Sequence, residues 1–205
     1  MIAIIDYDAG NLKSVEKALQ FLGVEAKITS DAEEILGADK IILPGVGAFG
    51  DAMEKLNNSG LSEVIREAVR RKIPLLGICL GLQLLFEASE ESPGVDGLSV
   101  LKGKIVRIPD KEGFKVPHIG WNSLKINPES KLFAGIPEDS YVYFVHSYYL
   151  KAEEEIVTAA TEYGTYIHAS VEKDNIFACQ FHPEKSSDVG LKILKNFLDI
   201  KKEEL

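Results

Sequence analysis

"PLLGICLGLQLLFE", Pro74 to Glu87, sets one cysteine between two apolar runs. The first run is strand-like and the second helix-like, so a strand ends near Ile78 and a helix begins near Leu80. Cys79 then occupies a sharp turn, with its side chain expected to stand exposed above the edge of a sheet. Gly77 and Gly81 remove the side chains that would collide in so tight a bend. This is the logic of the G-x-S-x-G nucleophile elbow with sulfur in place of oxygen. A strand–turn–helix of this kind belongs to a doubly wound parallel sheet, where ligands bind beyond the carboxyl ends of the strands.

Upstream the same alternation repeats. "MIAIID" is a short apolar run, and "NLKSVEKALQFLG" places Leu12, Val15, Leu19 and Leu22 at helical spacing before Gly23. "VEAKIT" reads as a strand. "SDAEEILG" opens with Ser30 and Glu33 at capping-box spacing and closes on Gly37. "KIILPG" is strand-like, "AFGDAMEKLNNSG" contains a helix, and "LSEVIREAVRRK" is a clearer one. Strands alternating with helices imply a parallel sheet covered on both faces. Downstream the character changes. "LSVLKGKIVRIP", "WNSLKI", "SYVYFVHSYYL", "EIVTAATEYG", "TYIHASVEKD" and "NIFACQF" are β-like and separated by turn residues, as expected for antiparallel strands that extend or flank the sheet. "SSDVGLKILKNFLDIKK" closes the chain as an amphipathic helix. The expected fold is a three-layer α/β domain: a mostly parallel central sheet, helices on both faces, and antiparallel strands in the C-terminal half. No repeat or linker divides residues 1–205, so one domain is expected.

Composition narrows the function classes. The net charge of -9 argues against nucleic acid or an anionic membrane surface as a partner, since both require clustered Lys and Arg. No apolar stretch approaches the ~20 residues of a membrane span. "MIAIIDYDAG" meets Asp6 and Asp8 at once and reads as a first strand, not as a secretion signal. Two cysteines, Cys79 and Cys179, are too few for a disulfide framework, and a reducing cytoplasm is the expected setting. No His/Cys spacing suggests a metal, and no cofactor is called for. Cys179 lies inside a strand and reads as core.

Position also bears on the chemistry of Cys79. Free backbone N–H groups and the helix dipole stabilise negative charge at a helix N-terminus. A cysteine there leans toward thiolate, the reactive form. The Leu80 N–H is free to face an oxyanion on a substrate bonded to the sulfur. A tight turn holding a small buried residue is the other reading of this spacing. What sharpens it is a second stretch, "NIFACQFHPEKS". This strand ends at His182-Pro183-Glu184, where Pro183 favours extension at His182 and residues i and i+2 point the same way. Glu184 can then fix the tautomer of His182 and stabilise its cation. Nucleophile, base and orienting carboxylate are all present. His118 and His146 read as satisfied structural groups, and His168 as half exposed in an alternating strand. A second oxyanion donor is expected in "LPGVGAFG", where Gly45, Gly47 and Gly50 leave backbone N–H groups accessible. A P-loop is excluded because no G-K-[ST] follows.

With "GICLGLQ" and "QFHPE" both present, the chain resembles the class I, triad-type glutamine amidotransferases over nearly its whole length. The resemblance implies that Cys79 is the nucleophile, His182 the acid-base and Glu184 its orienter. It implies that Gln83 contacts substrate, that Gly45 and Gly47 are the oxyanion-loop glycines, and that Ser147 and Tyr148 bind the amino-acid end of L-glutamine through their backbone. "DYDAGNLKSVEKAL", "LPGVGAFGDAM", "GLQLLFEASEE", "PHIGWN", "FVHSYY" and "FHPEKS" look most like the glutaminase subunits of imidazole glycerol phosphate synthases. That likeness implies a heterodimer with a (β/α)₈-barrel cyclase subunit, to which ammonia passes. It also implies slow glutamine hydrolysis until the partner binds its own substrate. Asn11, Tyr143, Lys185 and Ser186 are the expected partner contacts, by sequence proximity to the elbow edge or by the likeness. Three rivals remain open: a triad glutaminase serving anthranilate or pyridoxal phosphate synthesis, a partnerless hydrolase of γ-glutamyl compounds, and a non-catalytic docking module. "PHIGWN" and Leu82 weigh against the first, and an intact Cys79, His182 and Glu184 against the last.

Overall fold

A computed structural model describes residues 1–205, the side chain at position 204 excepted. The N-terminal half alternates as expected, in the order β1 (Ile2–Ile5), α1 (Leu12–Phe21), β2 (Ala26–Thr29), α2 (Ala32–Leu36), β3 (Lys40–Gly45), α3 (Phe49–Asn58), α4 (Leu61–Arg70), β4 (Leu75–Cys79) and α5 (Leu80–Leu84). The C-terminal half carries β5 (Ala88–Ser89), β6 (Gly103–Arg107), β7 (His118–Ser123), β8 (Lys125–Ile126), β9 (Tyr141–His146), β10 (Tyr148–Ala152), β11 (Val157–Glu162), β12 (Tyr166–Lys173) and β13 (Ile176–Cys179). It closes with a short turn of 3₁₀ helix, Pro183–Lys185, and α6 (Ser187–Asp199).

The main sheet runs β2-β1-β3-β4-β13-β12-β10-β6-β5, with β11 and β8 branching from β12. Its first five strands are parallel, and from β12 to β6 neighbours pair antiparallel. β7 and β9 form a separate antiparallel pair, which sits beside the main sheet and does not extend it.

Strands buried on both faces must be apolar throughout, and their alternate residues feed two cores. On one side Ala3, Ile5, Ile41, Leu43 and Leu75 pack with Ile35 of α2, Phe49 and Met53 of α3, Ile65 of α4 and Leu82 of α5. On the other, Ile2, Ile4, Ile42, Leu76 and Phe177 pack with Val15 and Leu19 of α1, Phe144 of β9, and Leu194 and Phe197 of α6. The three layers follow from that division.

Two local expectations are corrected. Ser30 does not cap α2: the N-cap is Asp31, whose Oδ1 accepts from the Glu34 N–H at 2.9 Å. The Thr29 hydroxyl accepts from the Asp31 N–H at 3.0 Å and thereby uses up one residue of the turn. The helix after the elbow is also shorter than "LQLLFEAS" suggests. It ends at Leu84, and the chain swings into β5, which runs parallel to β6.

Parallel pairing of β13 with β4 positions the site. Cys179 lies opposite Ile78, so the chain leaving β13 emerges beside the residue that leaves β4. On the other flank of β4, Gly45 lies opposite Cys79. One rim therefore gathers the elbow, the Gly45–Gly47 loop and the "HPE" segment.

Candidate active site

Cys79 has φ 56° and ψ −110°, a left-handed conformation that costs a non-glycine residue about 1–3 kcal/mol. Packing holds it there. A Cβ on Gly81 would lie 1.9 Å from the Leu43 carbonyl oxygen, and one on Gly77 would lie 2.8 Å from the Gly81 carbonyl oxygen. Both glycines are thus demanded by close backbone approach, as the elbow requires. The thiol is not exposed above the sheet edge as expected. Cys79 is 7% accessible. It opens instead into a cavity of about 360 Å³, whose lining also includes Pro117, the residue before β7, and Val145 and His146 of β9. α5 has only five residues, so what it offers the sulfur is chiefly the unpaired N–H groups of its first turn and little macrodipole.

His182 lines the same cavity. Its Nδ1–H donates to Glu184 Oε1 at 2.8 Å, which leaves Nε2 for the thiol. Glu184 is sealed behind the ring, its side chain 1% accessible, and does not line the cavity. Its other oxygen, Oε2, has no hydrogen-bond partner among the described residues, so the carboxylate's bonding is directed at the imidazole. Burial by itself would lower the His182 pKa. Hydrogen bonds and charges from the Cys79 and Glu184 side chains outweigh it and raise the group to about 9. Backbone contacts fix the segment. The His182 N–H donates to the Tyr143 carbonyl at 3.0 Å, and the Ser186 hydroxyl donates to the His182 carbonyl at 2.6 Å.

Of the residues expected to hold substrate, Gly47, Leu80, Gln83, Ser147 and Tyr148 line the cavity. Gly45 does not. A Cβ there would lie 2.7 Å from the Tyr7 hydroxyl and 2.9 Å from both Gly81 N and Leu80 Cβ, so the glycine is required by packing under the loop. Val46 and Gly47 are the loop residues that face the space, Gly47 at φ 96°. Gln83 donates to the Tyr148 carbonyl at 3.1 Å and to Gln180 Oε1 at 2.9 Å, and so holds the start of β10 against the elbow.

Several lining residues were not legible as site residues. Val46, Glu91, Pro117 and Val145 lie within the stretches "LPGVGAFGDAM", "GLQLLFEASEE", "PHIGWN" and "FVHSYY" but were not singled out as site residues, and His146 was read as purely structural. Gln180 was also missed: fully buried, it donates through Nε2 to the Cys79 sulfur at 3.7 Å. Its position two residues before His182, on the same side of the chain, was the available signal. The reading of His118 and His146 as satisfied is borne out. His146 Nδ1–H donates to the Tyr148 carbonyl at 2.8 Å, and the two rings bond through His118 Nδ1 and His146 Nε2 at 3.1 Å. Burial lowers His118 to about 4 and His146 to about 3, so both are neutral. Ser186, expected at a partner surface, is buried and donates inward, whereas Lys185 is exposed at the cavity.

A thiol beside an imidazole beside a carboxylate, at a cavity flanked by the elbow and by the Val46–Gly47 loop, is equipped for attack on a carbonyl and for protonation of the group that leaves. Residues 3–200 match the family described as "Glutamine amidotransferase class-I". The chain belongs to the class-I glutamine amidotransferase family. It is 54% identical over 198 residues to the "Imidazole glycerol phosphate synthase subunit HisH" of Caldanaerobacter subterraneus subsp. tengcongensis, covering 96% of this chain and 97% of that relative. Identity to the protein of the same description from Methanocaldococcus jannaschii is 51% over 200 residues, covering 98% and 100%. Among solved structures, that of PurLQS from Thermotoga maritima superposes with a TM-score of 0.74 at 21% identity, over 97% of each chain, which speaks for the amidotransferase fold alone. No helix among the described residues is long and apolar enough to cross a membrane.

Proposed function

We propose that this amidotransferase is the glutaminase subunit of an imidazole glycerol phosphate synthase, supplying ammonia from L-glutamine to a (β/α)₈-barrel cyclase subunit in histidine biosynthesis. The observation that carries the reaction is the convergence of Cys79 and His182 on one cavity with Glu184 bonded behind the imidazole. The observation that supports this particular synthase is identity above half over almost the full length of the HisH relatives. Cys79 attacks the side-chain carbonyl carbon of glutamine, and the resulting oxyanion is held by the Leu80 N–H and by an N–H of the Val46–Gly47 segment. Each such donor is worth about 3 kcal/mol in the transition state. The C–N bond breaks, and His182 gives its proton to the departing amine, releasing ammonia. His182 then takes a proton from water, which attacks the thioester carbon. Glutamate leaves, and the proton returns to the Cys79–His182 pair. Glu184 keeps Nδ1 protonated and stabilises the imidazolium throughout. Ser147 and Tyr148 hold the amino-acid end, and Lys185 stands where a partner would cover the cavity.

The deciding experiment mixes the chain with the barrel cyclase and supplies glutamine as the nitrogen source. Glutamine-driven cyclisation is expected, with slow glutamate release by the chain alone. Cys79→Ala should bind glutamine and release no glutamate, and normal turnover in that variant would end the proposal. Failure with this cyclase, combined with success with a different synthase, would reassign the partner but leave the glutaminase chemistry in place.

A further inference from the structure

We propose that Tyr7 is a positioning residue for the oxyanion loop, its hydroxyl fixing the height of the Gly45–Gly47 segment over Cys79. The inference rests on the glutaminase reading above. Tyr7 follows β1 at the carboxyl end of the sheet and is 3% accessible. Pairing of β1 with β3 ends at Ile4–Ile42, short of Pro44. There the Tyr7 hydroxyl takes over, donating to the Pro44 carbonyl at 2.9 Å. Pro44 and Gly45 lie in register with Ile78 and Cys79. The same hydroxyl forms one wall of the space that Gly45 leaves empty, with Gly81 N and Leu80 Cβ as the others. Hydroxyl, glycine and elbow backbone are therefore one stack, and the loop is clamped at its Pro44–Gly45 end.

The next anchors along the chain lie two residues beyond Gly47, where the Phe49 N–H donates to Glu91 Oε2 at 2.8 Å and the Gly50 N–H to Ser92 Oγ at 2.9 Å. A Cβ on Gly47 would meet no atom within 4 Å. The place where the Val46 and Gly47 N–H groups meet a developing oxyanion then depends on both anchors, of which the Tyr7 bond is the one at the strand end in register with Cys79. Displacement of a reacting geometry by about an ångström lowers rate on the order of a hundredfold. Burial, and after it the charge of Cys79, raises the pKa of Tyr7, so the phenol keeps the proton that it donates.

Tyr7→Phe removes the hydroxyl and retains the ring. Glutamate release by this variant, with the barrel cyclase bound, is compared with that of the unaltered chain. We expect kcat to fall about tenfold or more, with the KM for glutamine within about twofold and alkylation of Cys79 by iodoacetamide unchanged. The alkylation arm reads a folded elbow without using the oxyanion loop. Unchanged kcat would overturn the proposal. So would a loss carried by KM alone, or a variant that does not fold, since the hydroxyl would then serve substrate affinity or stability. If the unaltered chain released no glutamate, the glutaminase reading itself would fall, and this inference with it. A Tyr7→Phe chain as active as an active parent would remove only the role given to Tyr7.

Discussion

The rim of the main sheet and the small β7–β9 pair each contribute a histidine to one cavity, and the two rings are driven in opposite directions. His182, just beyond β13, is raised to about 9, and His146, at the end of β9, is lowered to about 3. Burial lowers both. At His182 it is overcome by Glu184 and Cys79, which carry or can carry negative charge. At His146 the one favourable contact is a backbone carbonyl, that of Tyr148, and the nearby charges of His118 and His182 work against protonation. The partner decides the charge of a buried imidazole more than burial does. The proposed proton-transfer group thus sits next to a neutral ring of the same residue type.

The strongest way to break this comparison is to remove the His182 ring and then the carboxylate behind it. His182→Ala should lower kcat for glutamine hydrolysis on the order of 10⁶-fold, as loss of the base does in other triads. Glu184→Gln should cost on the order of 10⁴-fold, because an amide can hold the ring in the wrong tautomer. Steady-state glutamate release measures both, and a Glu184→Gln chain within about tenfold of the parent would show that the carboxylate does not orient His182.

Stability against pH sharpens the contrast. His182 has a raised folded-state pKa, so its contribution is fully present below about 6.5, its unfolded value, and is lost as pH rises through about 9. His146 and His118 have depressed folded-state values. Their contribution is present above about 6.5 and lost as pH falls toward about 4 for His118 and about 3 for His146. Over the acid window each costs at most about 1.4 kcal/mol per pH unit. Denaturant unfolding of the parent and of His182→Asn from pH 6 to about 10 should converge at the alkaline end. The parent and His146→Asn should converge at the acid end. Parallel curves in either window would remove the assigned shift.

The smallest effect is expected at His118. It stacks on Tyr163 with ring centroids 3.9 Å apart and bonds to His146. His118→Phe keeps the stacking and removes the bond, so a loss of about 1 kcal/mol in unfolding free energy is expected, with KM rising a few-fold and kcat nearly unchanged. A large fall in kcat would mean that the scaffold ring takes part in proton transfer.

The two cysteines show how far the sequence could be read. Cys79 and Cys179 lie on adjacent parallel strands, nearly level with each other. Two glycines marked one as an elbow, and an uninterrupted apolar strand marked the other as core. Cys179 is fully buried, with its thiol pushed well above the ordinary range by burial and then by the negative charges of Glu184 and Cys79. The parallel sheet, its helical layers and the two ends of the triad were legible because they depend on local pattern. Glycine spacing, the Pro183 constraint and side-chain periodicity all act within a few residues.

Gly45, Gln180 and Ser186 mark where local pattern stops. Gly45 reads as a substrate-facing glycine until Tyr7 and Leu80 are seen packed against it. Gln180 reads as an ordinary strand residue until β13 comes to lie beside β4. Ser186 reads as surface until its hydroxyl is found bonded to the His182 carbonyl. The sequence by itself determined which groups could do chemistry and which turns would present them, since both follow from residue type and short-range sterics. Only the tertiary structure decided which strand lies next to which, how deep the sulfur sits and which histidines share its cavity. Those outcomes depend on contacts between residues far apart along the chain, which no local pattern encodes.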